Sequence, residues 1–262
     1  MMQFSFNRFG KLARWTLTND RKYHVKTFLQ TLVIMTLVFL FFTSITIKNG
    51  QENENYFACS LAVIILFAST LILGSSFMFY SMDGKHDMQV LLMLPASNFE
   101  KYLMRYVSWI LLLPIYLVAT FAADLVQYVF GLAVGHEEVR FVIPAMMEML
   151  GDTWNKIPAD KHTTIILGIS LLVLWLHSVY VLGANFFRTH KYNWIPTTLV
   201  IVILIMIMVW LLPSDVAESG KESSLLKDTV TDTVYALVVG FNFWLSYRFF
   251  CRRQVIGKFV NV

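Results

Sequence analysis

TFLQTLVIMTLVFLFFTSITI, residues Thr27–Ile47, is a run of 21 residues without a single charged side chain. A helix that crosses the roughly 30 Å hydrocarbon core of a bilayer needs about 20 apolar residues. Transmembrane β-strands instead alternate over about ten residues, which this continuous run does not do. Five further apolar runs follow it. The six predicted spans are Thr27–Ile47, Phe57–Tyr80, Tyr106–Val134, Thr163–Phe187, Ile195–Pro213 and Thr233–Phe250. The sequence therefore predicts an all-α integral membrane protein, with a six-helix transmembrane domain at residues 27–250 and a cytoplasmic tail at residues 251–262.

The composition of the whole chain agrees with this class. Of its 262 residues, 57% are hydrophobic and 15% are charged, whereas a soluble domain carries about 25% charged residues. Two cysteines do not make a disulfide scaffold, and so much apolar surface excludes a disordered chain. No small-residue cleavage site follows the basic residues 1–26, so we expect the first span to remain in the mature protein.

The distribution of charge predicts the orientation of the six spans. An even number of spans puts both termini on one side, together with the loops after spans two and four. That side holds fifteen of the Lys and Arg residues, and the other three loops hold six. Because basic residues near span ends collect on the cytoplasmic face, we expect a multi-pass protein of the inner (cytoplasmic) membrane with both termini cytoplasmic. The net charge of +4 is then explained by the orientation of the spans in the membrane, and we expect no nucleic-acid partner.

The N-terminal residues 1–26 contain an amphipathic segment, Phe4–Tyr23. On a helical projection its apolar residues share one arc, and basic residues that include Arg8, Lys11 and Arg14 occupy the opposite arc. Such a helix lies in the membrane interface and attracts anionic lipid. It either serves only as a basic anchor or forms an elbow helix that touches a cytoplasmic partner.

The second cytoplasmic stretch reads SMDGKHDMQVLLMLPASNFEKYLMRYV from Ser81. Asp87–Leu94 predicts about two helical turns, which Pro95 would end. The apolar stripe of these turns consists of Met88, Leu91 and Leu92. Ser97 and Glu100 then match the S-x-x-E capping box that starts a helix. The stripe must be buried against lipid, against the bundle or against a partner, and composition does not choose among them.

Recognisable catalytic chemistry is scarce. Gly84-Lys85 lacks the earlier glycine of a P-loop, and no H-E-x-x-H or G-x-S-x-G motif is present. We therefore expect no ATPase site, metal site, cofactor site or catalytic residue in this chain. The polar residues within the spans could form an intramembrane polar path or could simply bond neighbouring helices; they are Asp124, Gln127, His177, Asn185 and Asn242. A further segment, VRFVIPAMMEML from Val139, is too short to span and predicts an interfacial or re-entrant helix.

Several segments together resemble the permease subunits of type-2 ABC exporters, in particular a compact six-span group found in Bacteroidota. They are FNRFGKLARWTLTNDRKYHVK before span one, MLPASNFEKYLMRYV before span three, LGANFFRTHKY after span four and FNFWLSYRFFCRRQVI at span six. The resemblance covers the whole chain in topology, but only these segments in residues.

This resemblance implies a homodimer, or a heterodimer with a similar subunit, that stands on two separate ABC ATPase subunits. ATP and Mg would then be bound in the partner, and Asp87–Leu94 would be the coupling helix that docks on it, continued by Pro95, Ser97 and Glu100. Two alternatives remain open. One is a non-transporting membrane anchor, assembly factor or immunity protein, and the other is an ion-coupled secondary transporter that uses Asp124.

Overall fold

The computed structural model describes residues 4–49, 52–79, 89–91, 93–135, 139–187, 192–211 and 225–252. All elements assigned within these ranges are helices, which confirms the all-α class. The α-helices are α1 (Phe6–Asn19), α2 (Arg21–Asn49), α3 (Glu52–Leu73), α4 (Asn98–Ile110), α5 (Leu112–Ala133), α6 (Val142–Asn155), α7 (His162–Phe186), α8 (Trp194–Leu211) and α9 (Leu225–Cys251). Short 3-10 turns, Gly74–Phe77 and Ala159–Lys161, follow α3 and precede α7.

Five helical stretches of the described residues are long and apolar enough to cross a membrane. They are Arg21–Ile45, Tyr56–Phe77, Asn98–Ala133, Ala159–Phe186 and Asp232–Cys251. The chain therefore has the character of a multi-pass membrane protein. The remaining predicted span coincides with α8, whose described apolar part, Trp194–Ile207, is too short to belong to this set.

The helices begin earlier in the chain than the predicted spans do. α9 begins at Leu225 and not at Thr233, and α2 begins at Arg21 and not at Thr27. An apolar run marks where hydrocarbon begins, whereas a helix continues through polar residues as long as its backbone bonds are made. The predicted connecting loop before α9 is therefore shorter than expected.

One predicted span is interrupted within its helix. α4 ends at Ile110 and α5 begins at Leu112, with a turn at Leu111 between them. Pro114 explains the break, because proline has no N–H to donate to the carbonyl four residues earlier and its ring crowds that carbonyl.

The chain divides into two compact units. The first comprises Met1–Ala13, Leu71–Tyr106 and Thr164–Val262, and the second comprises Arg14–Thr70 and Val107–Thr163. In the second unit α2 packs against α5, and α5 packs against α6. Its core is formed by Met35, Phe39, Cys59, Val63, Ala123 and Val142.

In the first unit α7 and α8 approach each other closely. A Cβ atom at Gly183 would lie 2.8 Å from Cγ2 of Thr197, so glycine is required for this approach. The buried residues of α7 all lie in its C-terminal half, from His177 to Asn185. That half carries the polar residues described below.

Candidate functional site

The Glu100 junction, formed by Ser5, Arg8, Ser97 and Glu100, joins the N-terminal segment to the start of α4. Ser97 donates its backbone N–H to Oε2 of Glu100 at 2.7 Å, and its Oγ accepts the N–H of Glu100 at 3.2 Å. These reciprocal bonds are the capping box that the sequence predicts. They fix the chain direction at the first turn of α4.

The second oxygen of the same carboxylate holds the N-terminus. Oε1 of Glu100 accepts the backbone N–H of Ser5 at 2.7 Å and Nη2 of Arg8 at 3.2 Å. The Glu100 side chain is fully buried, while the Arg8 side chain is 38% exposed. Bonds to a charged acceptor are shorter and stronger than neutral ones, so one carboxylate fastens residues that lie more than 90 positions apart in sequence.

The residues immediately before this junction form a short helical turn. Gln89, Val90, Leu91 and Met93 are helical, and the N–H of Leu94 is bonded to the Val90 carbonyl at 3.1 Å. Leu91 is only 1% exposed, whereas Met93 is 75% exposed. In the described part of this turn, the Leu91 side chain is therefore buried and the apolar Met93 side chain is exposed.

Contacts between aromatic rings connect the Glu100 junction to α9. Phe99 stands between Phe4 at 6.1 Å and Tyr247 at 6.0 Å, measured between ring centroids. Tyr102 in turn contacts Tyr247 and Phe250, each at 5.5 Å. These separations lie in the range in which aromatic pairs add to the stability of burial. The start of α4 is therefore packed against the C-terminal end of α9.

Ser246 of α9 is the centre of a polar cluster in the same unit. Its Oγ donates to the Val181 carbonyl at 3.0 Å. The same Oγ accepts Nδ2 of Asn185 at 2.8 Å and the Tyr102 hydroxyl at 3.2 Å. Three helices, α4, α7 and α9, thus meet at a single hydroxyl group. Bonds of this kind hold apolar helices together where the hydrophobic effect cannot.

A second set of bonds lies elsewhere along α7. Asn242 donates to the Ser178 hydroxyl at 2.9 Å. Nδ1 of His177 lies 2.7 Å from the Leu71 carbonyl, and its Nε2 lies 3.1 Å from the Tyr106 hydroxyl. A carbonyl only accepts, so Nδ1 carries a proton, and when the ring is neutral its Nε2 accepts from the tyrosine hydroxyl. These predicted polar residues bond to neighbouring elements.

Asp124 caps a helix in the second unit. Its two carboxylate oxygens accept the N–H groups of Val142 at 2.8 Å and Ile143 at 3.0 Å, which are the first two residues of α6. Those N–H groups have no intrahelical partner, and a negative charge is favourable at a helix N-terminus. Gln127, one turn further along α5, is fully buried, and neither of its amide atoms is hydrogen-bonded within the described ranges.

The predicted site residues therefore fall into separate groups. His177, Asn185 and Asn242 lie in the first unit, and Asp124 and Gln127 lie in the second. Arg8 joins the Glu100 junction, Lys11 and Arg14 of α1 are exposed, and Pro95 is exposed beside the turn. Asp87, Met88 and Leu92 lie outside the described residues. Sequence reasoning did not identify Ser5, Tyr102 or Ser246, because their partners are far away in the chain.

No family model, curated protein or solved structure matches this chain. Among the residues that the structure describes, no group of three or more His, Cys, Asp or Glu side chains is arranged to hold a metal ion. Cys59 is buried and Cys251 is exposed, and both are free thiols. The function is therefore inferred from the Glu100 junction and the helices around it.

Proposed function

We propose that this chain is the membrane-spanning permease subunit of an ATP-driven ABC exporter. In this proposal α8 supplies a sixth span, both termini are cytoplasmic and the membrane is the inner one. The chain works as a homodimer, or as a heterodimer with a similar subunit, and a separate ATPase binds ATP and Mg. The five long apolar helices and the excess of basic residues on the side of the termini support this arrangement.

The observation that carries the proposal is the way in which the turn before α4 is held. Its exposed end offers Met93 and Pro95, while Leu91 is buried and the Glu100 junction fastens the next turn. A rigidly held apolar protrusion suits a coupling element, because a force applied to it moves the attached helix without being lost in bending. The three donors on the buried Glu100 carboxylate fix the start of α4, to which the turn is attached.

Met93→Asp tests the coupling role directly. The full-length chain is purified from its native membrane in mild detergent, and co-purifying proteins that contain a P-loop are quantified by mass spectrometry. We expect an ATPase with the wild type and at least a tenfold loss with Met93→Asp, which corresponds to about 1.4 kcal/mol. Leu91→Asp is unsuitable, since Leu91 is buried and its substitution would disturb the fold.

Met147→Asp is the matched control, because Met147 is an exposed methionine of α6. It should leave ATPase recovery unchanged. Full recovery with Met93→Asp would refute the docking role of the turn. If chemical cross-linking in native membranes captures no P-loop protein with the wild type, the anchor, assembly or immunity alternative replaces the exporter. Transport driven by an ion gradient in vesicles that contain this chain alone would instead identify a secondary transporter.

A further inference from the structure

A cavity of about 430 Å³ lies between α6 and the first turns of α3 in the second unit. Four charged side chains line it: Arg140, Glu148, Asp152 and Lys156. The last three are spaced by four residues and therefore share one face of α6 and its C-terminal end. Arg140 precedes α6 and is held next to α3, because its backbone N–H donates to the Tyr56 hydroxyl at 2.8 Å.

Within the described residues, these four charged side chains have no partner of their own. Among the described residues, none of the four side chains forms a salt bridge or a side-chain hydrogen bond. Glu148 and Asp152 are like charges one helical turn apart, which is unfavourable without a cation nearby. The cavity thus presents two carboxylates and two cations, all exposed. Within the described residues, they are open to a ligand that carries both signs of charge.

The cavity adjoins the start of a helix that is apolar enough to cross a membrane. The membrane-crossing part of α3 begins at Tyr56, which lines the cavity. Phe57 lines it too, and Phe57, Leu61 and Ile65 form an exposed apolar stripe that continues from it along α3. Trp154 of α6 stacks on His162 at 4.2 Å, and tryptophan is enriched where headgroups meet hydrocarbon. A charged cavity that continues into an apolar stripe matches an amphiphile.

We propose that this cavity binds a phospholipid whose zwitterionic headgroup ends in a primary ammonium, as in phosphatidylethanolamine. Arg140 and Lys156 hold the phosphate, which both side chains bind well. Glu148 and Asp152 accept the ammonium N–H groups, and an acyl chain lies along Phe57, Leu61 and Ile65. The quaternary ammonium of phosphatidylcholine has no N–H to donate, so the carboxylate pair selects against it. This site goes beyond the proposed exporter function and is independent of it.

Native mass spectrometry of the delipidated full-length chain tests the proposal. Phosphatidylethanolamine, phosphatidylcholine and phosphatidylglycerol with identical acyl chains are added in turn, and bound lipid is counted. We expect about tenfold more phosphatidylethanolamine than either of the others, the effect of one well-made charge-assisted hydrogen bond. Glu148→Gln with Asp152→Asn should bring the ethanolamine-to-choline ratio close to one. Arg140→Gln with Lys156→Gln should lower the binding of all three lipids.

Asp160→Asn with Lys161→Gln is the control, since these exposed charges lie in the 3-10 turn that follows α6 and do not line the cavity. It should leave the ratio unchanged, and circular dichroism should show the same helix content for every variant. Equal binding of the three lipids to the wild type would overturn the proposal, as would a lipid preference that survives the double carboxylate variant. Soluble glycerophosphoethanolamine should not displace the lipid; displacement at equal concentration would overturn the lipid assignment in favour of a soluble zwitterion.

Discussion

Glu100→Gln is the sharpest perturbation of the Glu100 junction, because it removes a negative charge and one acceptor with almost no change of shape. Each oxygen of the carboxylate accepts a backbone N–H at 2.7 Å, from Ser5 and from Ser97. Glutamine offers one carbonyl oxygen and an NH₂ group, so one of these two N–H groups must face another donor. Either the capping box or the attachment of the N-terminus is lost.

The free energy that Glu100→Gln should cost follows from the individual hydrogen bonds. A hydrogen bond to a charged acceptor contributes about 1.5–3 kcal/mol. The Arg8 contact adds at most about 1 kcal/mol, because it is a partly solvated ion pair. We therefore expect a local loss of about 2–4 kcal/mol, which increases the population of locally open states roughly 30- to 700-fold.

Hydrogen–deuterium exchange of the full-length chain in nanodiscs measures this change. Peptides that cover residues 4–13 and 94–103 should exchange faster by the stated factor, while peptides of α5 should be unaffected. Glu148→Gln is the matched control, since Glu148 is exposed and forms no ion pair within the described ranges. An increase of less than about threefold in both N-terminal and α4 peptides would mean that the carboxylate does not hold the junction.

Three further substitutions test the packing around the candidate sites. Asp124→Ala removes both acceptors of the α6 N-terminus and should accelerate amide exchange at Val142 and Ile143 at least about 100-fold. Unchanged exchange there would contradict the capping role, and Asp160→Ala, at an exposed aspartate outside α6, is the control. Gly183→Ala places a Cβ against Thr197 and should cost about 1–3 kcal/mol. A lower melting temperature should result, whereas Gly168→Ala, which has open space, should not lower it. Ser246→Ala removes three hydrogen bonds worth about 0.6 kcal/mol each in a membrane, so a denaturant titration should show a loss of about 2 kcal/mol. Ser44→Ala, which breaks one bond to its own helix, should be nearly neutral, and equal losses in the two serine variants would refute the network.

The helices could be predicted from the sequence because bilayer thickness imposes a length on apolar runs. Thr27–Ile47 lies wholly within α2, and Tyr106–Val134 covers all of α5 and the last five residues of α4. The helix starts could not be predicted in this way, because the polar residues before an apolar run are compatible with both helix and loop. The turn at Leu111 had a visible cause in Pro114, but proline within a span is tolerated often enough that its effect depends on the surroundings.

The Glu100 junction could be predicted from the sequence only where its hydrogen bonds join residues that are close together in the chain. Ser97 and Glu100 are three residues apart, and the S-x-x-E pattern names both partners in the sequence. Ser5 and Arg8 bind the same carboxylate from more than 90 residues away. Helical periodicity placed Arg8 on the basic arc of the N-terminal segment but did not indicate its partner, and no pattern indicated Ser5. For the same reason the sequence indicated that Met88, Leu91 and Leu92 form an apolar stripe but did not indicate that Leu91 is buried and Met93 exposed.

The bonds of Asp124 also bear on the alternative in which the chain is an ion-coupled secondary transporter. A carboxylate that couples ion flow must exchange a proton or ion during the cycle, so its oxygens have to become available. Both oxygens of Asp124 accept backbone N–H groups that open α6, and protonation would place a donor against one of them. Asn185 and Asn242 are bonded to Ser246 and Ser178. Four of the five predicted intramembrane polar residues thus bond within their own unit, which argues against the alternative of an ion-coupled secondary transporter.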